Sequence, residues 1–265
     1  MALSTEKILD LHNNGFVSFN IKDLNKNLYD KLYDEIGDGP HTLLNNIKLV
    51  RTKWLEDWDN VIDFDVLFGN ENYILEHFNE SKDVNTGKRR VEVTIRYDEI
   101  NQCINFTDRV YKPEVREFEQ LWCFQIGLPV PEIRESVYNI FSEIIDTFYN
   151  KMLDITSTIY ELTWYRKNGI IYSHRDVWDG NLPDPVKLCS ILLYLNKNYD
   201  KSEQGQLYID NDNHVVYPEF GNVALLDYNK HALEHRVEPP ATDYGRYGVL
   251  SFIDIRNVSN KETLI

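Results

Sequence analysis

Along residues 131–152 the apolar positions Ile133, Val137, Ile140, Phe141, Ile144, Ile145, Phe148 and Met152 recur at steps of three and four. One face is therefore apolar, and Pro131 suits a first helical turn, so the spacing predicts a long helix over 131–152 laid against a sheet. Shorter helical patterns precede it. Ser4 is placed to cap a helix running to about His12 and ended by "NNG"; "FVSFNI" then reads as a strand. Residues 22–36, "KDLNKNLYDKLYDEI", form a second amphipathic helix. Of the stretch 40–130, "RRVEVTIRY" reads as a strand, whereas "FEQLWCFQIGLPVP" is aromatic-rich and irregular.

Near residue 155 the texture changes to short strands at short intervals. Eight are readable: "IYELTWYR", "IIYSHRD", "KLCSILLYLN", "GQLYID", "HVVYP", "NVALLD", "LEHRVEP" and "RYGVLSFI". The turn signals "KNG", "DGNLPDP", "NDN", "PEFG" and "PPATDYG" separate most of them, which predicts an all-β sandwich or barrel. With no repeat or linker, a single domain over 1–265 is expected. Residues 1–155 would be a helical and mixed support region and 156–258 a β core.

Composition narrows the partners. Hydrophobic residues make up 42% and aromatic residues 13% of the 265, as in a globular protein. The formal net charge of −15 repels phosphate backbones, so no nucleic-acid partner is expected, and Lys88-Arg89-Arg90 reads as a solvated loop or a local anion contact. Cys103, Cys123 and Cys189 have no paired short spacing, which argues against a disulfide framework or a structural zinc site. No apolar run approaches the ~20 residues that span a bilayer, and "MALSTEKILDLHNNG" turns charged too soon for a signal peptide. A reduced, cytoplasmic protein without a membrane partner is the expectation; the sequence carries no signal for its oligomeric state.

The candidate chemistry centres on "HRDVWDGN", His174 to Asn181. It fits H-R-D-x-x-x-x-N, in which protein kinases place a catalytic Asp and a magnesium-binding Asn. That chemistry also needs a Gly-rich loop and a downstream D-F-G; the nearest stretch, "GDGPHT", lacks the last glycine, and no D-F-G follows. The same octapeptide contains His-x-Asp. Positions i and i+2 of a strand share a face, so His174 and Asp176 can serve as the local half of a facial metal triad. In a chain with 7 His and 43 acidic residues one His-x-acid pair arises by chance, so a second His on a neighbouring strand decides. His214, His231 and His235 are the candidates. His235 stands inside "HRVEPP", followed by "GRYGVLSFI".

Taken in order, these segments resemble a known family. Residues 159–253 resemble the double-stranded β-helix of the Fe(II)/2-oxoglutarate-dependent dioxygenases, in the prolyl 4-hydroxylase-like branch. The matches are His174-Arg175-Asp176, "ILLYLNKNY" with Tyr194, "EQGQLYI" with Gly205, "PEFGNVALLD" with Gly221, His235-Arg236-Val237-Glu238-Pro239, and Arg246 in "GRYGVLSF". Two departures stand out: Gly205-Gln206 replaces the family's frequent Gly-Gly, and Arg246 lies 11 positions after His235, with "PPATDYG" taking up the extra length.

The resemblance implies a mainly β, α+β protein with a jelly-roll or cupin-like core buttressed by N-terminal helices. It implies His174, Asp176 and His235 as iron ligands, and Arg246 with Tyr194 as the anchor for the distal carboxylate of 2-oxoglutarate. Tyr165 would lie near that co-substrate, and Arg236 would point away. The implied activity is hydroxylation of an unactivated C–H, with O2 and 2-oxoglutarate converted to succinate and CO2. The carboxylate ligand argues against halogenation, whose enzymes lack it. The expected substrate is an amino-acid unit, as a small molecule or in a peptide, a proline-like unit included. Trp178, Asp179 and Asn181 are candidate substrate contacts, with Trp122 and Arg90 weaker ones. A non-catalytic cupin-like metal- or ligand-binding module is the alternative, and a phosphotransferase a remote one.

Overall fold

A computed structural model describes residues 5–37, 80–81, 90–98, 103–111, 121–127, 131–154, 160–165, 171–176, 186–228, 233–242 and 245–261. In chain order the elements are α1 (Thr5–Asn14), β1 (Phe16–Asn20), α2 (Ile21–Leu24), α3 (Lys26–Glu35), β2 (Glu80–Ser81), β3 (Arg90–Asp98), β4 (Cys103–Tyr111), β5 (Leu121–Gly127) and α4 (Pro131–Tyr149). There follow β6 (Lys151–Leu153), β7 (Glu161–Tyr165), β8 (Ile171–His174), β9 (Lys187–Tyr194), β10 (Leu207–Ile209), β11 (His214–Val216), β12 (Asn222–Asp227), β13 (His235–Val237), β14 (Arg246–Asp254) and β15 (Val258–Asn260). None of the described helices is long and apolar enough to cross a membrane.

Local chemistry explains where the helices differ from the sequence pattern. The helix expected over 22–36 is two helices, because the Asn25 side chain accepts from the backbone N–H groups of Asn27 and Leu28 and caps α3. The helix expected to reach 152 stops at Tyr149. Asn150 adopts φ 51°, a left-handed cap, and Met152 then lies in β6, paired with Ser259 and 54% exposed. α1 ends on Gly15 at φ 71°, whose N–H bonds to the Leu11 carbonyl at 2.8 Å. All eight strands read after residue 155 are present. β4 and β15 had no sequence signal, and β5 runs through the aromatic stretch taken as irregular.

Nine strands form one sheet in the order β1-β12-β9-β14-β7-β5-β3-β4-β2, and four form another in the order β11-β10-β13-β8. Side chains alternate across the large sheet. Cys189, Ile191 and Leu193 of β9, Val223 and Leu225 of β12, and Tyr247, Val249 and Ile253 of β14 pack in one core with Leu11, Leu32 and the apolar face of α4. Leu192 and Tyr194 of β9 and Ala224 and Leu226 of β12 face the other way, into a second core. There they meet Leu207, Ile209, Val216 and Val237 of the small sheet. With both faces covered, β9 and β12 are buried almost throughout, which is why "LCSILLYL" and "VALLD" read as continuous apolar runs.

Asn196, fully buried just past β9, fixes where β14 begins. Its side-chain amide donates to the Gly245 carbonyl at 2.7 Å and its carbonyl oxygen accepts from Tyr247 N–H at 2.9 Å. The backbone on both sides of Arg246 is thereby clamped. Replacing Asn196 with Ala removes these two hydrogen bonds to buried backbone groups, so chemical denaturation of Asn196→Ala should show a loss of about 2–4 kcal/mol.

Candidate metal centre

His174 is the last residue of β8 and His235 the first of β13. The antiparallel ladder sets them directly opposite, and their ring centres lie 4.3 Å apart. The register shifts between His235 and Val237, which pairs with Ile171, and such an irregularity re-aims side chains beside a site. Asp176 follows two residues after His174. Its Oδ1 lies 3.5 Å from His174 Nε2 and its Oδ2 lies 3.5 Å from His235 Nε2. The three ligand atoms all fall within 4.8 Å of one another, and no other described residues form such a cluster. Ligands about 2.1 Å from a metal and at right angles to each other stand about 3 Å apart, so the His174 Nε2 and Asp176 Oδ1 pair is near the spacing two ligands of one ion need.

The electrostatics prepare these groups for a cation. His235 Nδ1 donates to the Leu233 carbonyl at 3.0 Å; a carbonyl only accepts, so Nε2 carries the free lone pair. Burial holds His235 below the ordinary imidazole value, against the opposing pull of Asp176. Burial alone would raise the Asp176 carboxyl. The hydrogen bond from His174, the neighbouring imidazoles and the Tyr228 hydroxyl outweigh it and hold the group well below the usual carboxylate range. Two imidazoles and an ionised carboxylate make a donor set that suits a divalent iron ion.

The inner face of the large sheet carries the rest. Gly248 of β14 pairs with Tyr194 and Leu250 with Leu192, which places Arg246, two residues before Gly248, on the same face. Arg246 is 3% exposed, and its guanidinium carbon lies 5.1 Å from the Tyr194 ring centre. The Tyr194 hydroxyl is buried with no hydrogen-bond partner among the described residues. Burial pushes its pKa up, against the lowering by the Arg246 charge, so the phenol stays protonated and able to donate. A buried cation beside an orphaned donor fits an anionic ligand. Gly205, at φ 86°, lets the backbone approach: a Cβ there would sit 3.2 Å from Arg246 Cβ.

Other candidates fall elsewhere. Arg236 turns outward to Asp212 and Glu238, and His214 is exposed on β11. Tyr165 opposes Arg246 in the β7–β14 register, but its side chain, like those of Trp122 and Arg90, lies outside the described residues. Trp178, Asp179, Asn181 and His231 also lie outside them. The sequence reading passed over Tyr228, whose hydroxyl donates to Asp176 Oδ2 at 2.6 Å, and Ser190, 3.2 Å from the same hydroxyl.

No family model matches the chain, and no curated protein matches its sequence. Solved structures do match. A prolyl hydroxylase from Trichoplax adhaerens, in complex with a peptide fragment of the hypoxia inducible factor oxygen degradation domain, aligns over 95% of this chain and 89% of its own, at 16% identity and TM-score 0.50. A prolyl-4-hydroxylase from Pseudomonas putida aligns over 94% of this chain and 97% of its own, at 13% identity and TM-score 0.50. The chain has the prolyl hydroxylase fold. In that fold the His174, Asp176 and His235 cluster sits between the two sheets, at the end of the small sheet's β8–β13 pair.

The folded pKa of His235 lies below its ordinary 6.5, so on acidification the unfolded chain takes up this proton first and stability falls. Asp176, held below its ordinary 3.8, acts in the same direction at lower pH. The thermal midpoint of the metal-free protein should therefore drop as pH falls below about 6.5, and His235→Gln should flatten the first part of that drop.

Proposed function

We propose that this chain is an Fe(II)/2-oxoglutarate-dependent hydroxylase acting on an amino-acid unit. It would form a single domain over 1–265, with a double-stranded β-helix over 156–258 as its catalytic core. The observation that carries this reading is the convergence of His174, Asp176 and His235 on the interior that also holds buried Arg246 and the Tyr194 hydroxyl, which has no hydrogen-bond partner among the described residues. A cupin-like module that only bound metal would need no buried cation on the same face.

His174, Asp176 and His235 would hold Fe(II), and Arg246 with Tyr194 would hold the distal carboxylate of 2-oxoglutarate. Bound iron supplies the redox chemistry, in which O2 and 2-oxoglutarate become succinate and CO2 as a substrate C–H is hydroxylated. The protein supplies geometry. With only His174, Asp176 and His235 as protein ligands, an ion held there would keep room for other ligands. Arg246 offers a planar fork of donors that matches a carboxylate, strengthened by its dry surroundings, and Tyr194 adds a third donor. Leu192 and Leu250, paired across β9 and β14, share the inner face with Tyr194 and would give the ligand's methylenes an apolar wall. From Ser190, beside Tyr228, to Tyr194 is four strand residues, about 13 Å, room for a five-carbon dicarboxylate between metal and guanidinium.

Trp178, Asp179 and Asn181, which follow Asp176 in the sequence, would contribute substrate contacts. A free amino acid and a peptidyl unit, proline-like units included, both suit this reading, and the shared fold admits a peptide as in the Trichoplax protein. The charge of −15 disfavours a nucleic acid.

Turnover tests the proposal. Fe(II) and 2-oxoglutarate in air should give succinate, at a low rate without substrate and faster with it, and His174→Ala should give none. Arg246→Ala should raise the KM for 2-oxoglutarate by about ten- to hundredfold, the loss of a charge-assisted carboxylate contact. A wild-type protein that forms no succinate against a screen of amino acids and peptides, or an Arg246→Ala variant with unchanged KM, would contradict it.

A further inference from the structure

We propose that Tyr228 is the positioning residue of this metal centre: its hydroxyl holds one oxygen of Asp176 and leaves the other for the ion. The inference rests on the reading of His174, Asp176 and His235 as metal ligands. His174 and His235 are aligned by a strand ladder, whereas Asp176 lies two residues past the end of β8. Its carboxylate is instead gripped from the other sheet. Tyr228, 3% exposed, directly follows β12, its N–H bonded to the Leu188 carbonyl at 3.1 Å. Its hydroxyl reaches Asp176 Oδ2 at 2.6 Å and Ser190 Oγ at 3.2 Å.

Counting protons orders this chain of groups. A phenol has one proton, and an ionised carboxylate only accepts, so the Tyr228 proton points to Asp176 and Ser190 donates to the Tyr228 oxygen. Ser190 belongs to β9, so β9 and β12 together aim one rigid phenol at the carboxylate. A tyrosine has two side-chain torsions and here both are fixed by burial and by Ser190. The consequence is denticity. With Oδ2 engaged by Tyr228, Asp176 binds an ion through Oδ1, the oxygen that faces His174. A one-oxygen ligand leaves three positions of an octahedral ion open, and chelation through both oxygens would leave two.

Cobalt(II) titration of the metal-free protein, followed by its visible bands, separates this role from simple packing. Tyr228→Phe keeps the ring and removes the hydrogen bond. It should weaken Co(II) binding about 10–100-fold, the usual effect of losing a partner that orients a ligand, and change the shape and intensity of the cobalt bands. Ser190→Ala should weaken binding less and in the same direction. Circular dichroism of each metal-free variant checks the fold, and if Tyr228→Phe does not fold, Ser190→Ala decides. Wild-type affinity and bands in both variants would overturn the role of Tyr228 while leaving the metal centre standing. Failure of the wild-type protein to bind Co(II) would overturn the metal centre and this inference with it.

Discussion

The antiparallel register of β13 against β8 is the constraint on which the site depends. It sets His235 opposite His174, and because strand side chains alternate with a period of two, a slip by one residue would turn His235 outward and Arg236 inward. Arg236 opposes that slip. It forms ion pairs with Asp212 and Glu238 and lies over the Tyr208 ring on the outer face. The outward arginine and the inward histidine are thus two sides of one register, and His235 Nδ1, tied to Leu233, then aims Nε2 at the site.

The large sheet gives the second half of the geometry its rigidity. The inner-facing residues of β9, Ser190, Leu192 and Tyr194, lie in a row at every second position. The outer-facing Cys189, Ile191 and Leu193 are locked beneath α4. One strand therefore supports Asp176 at one end, through Ser190 and Tyr228, and carries Tyr194 beside Arg246 at the other. Asn196, one residue past Leu195, clamps the backbone around Arg246. Binding groups carried by strands of a packed core hold their spacing better than groups on loops, which suits chemistry that depends on distance between a metal and a charge.

Much of this was legible in the chain. The apolar face of α4 and the eight strands after residue 155 follow from periodicity and turn residues. His174 and Asp176 stood out by strand spacing, and the resemblance to the dioxygenase family added His235 and Arg246; the fold brings the first three together. Other features had no local signal. Asn25 and Asn150 divide or end helices through side-chain capping and a left-handed backbone, which apolar spacing does not register. β6 and β15 pair across more than a hundred residues and carry no alternating pattern. Tyr228 reads as one more core aromatic at the end of a buried strand; its role emerges only when the fold brings it to Asp176, 52 positions away in sequence.

The central claim is that one interior holds an iron ion and a 2-oxoglutarate carboxylate at opposite ends of the β9 row. Anomalous diffraction at the iron edge, from crystals grown anaerobically with Fe(II) and 2-oxoglutarate, tests it most directly. The account predicts one iron bonded to His174 Nε2, His235 Nε2 and Asp176, with the ligand's distal carboxylate on Arg246 and the Tyr194 hydroxyl. Iron bound at other residues, or a carboxylate away from Arg246, would contradict it.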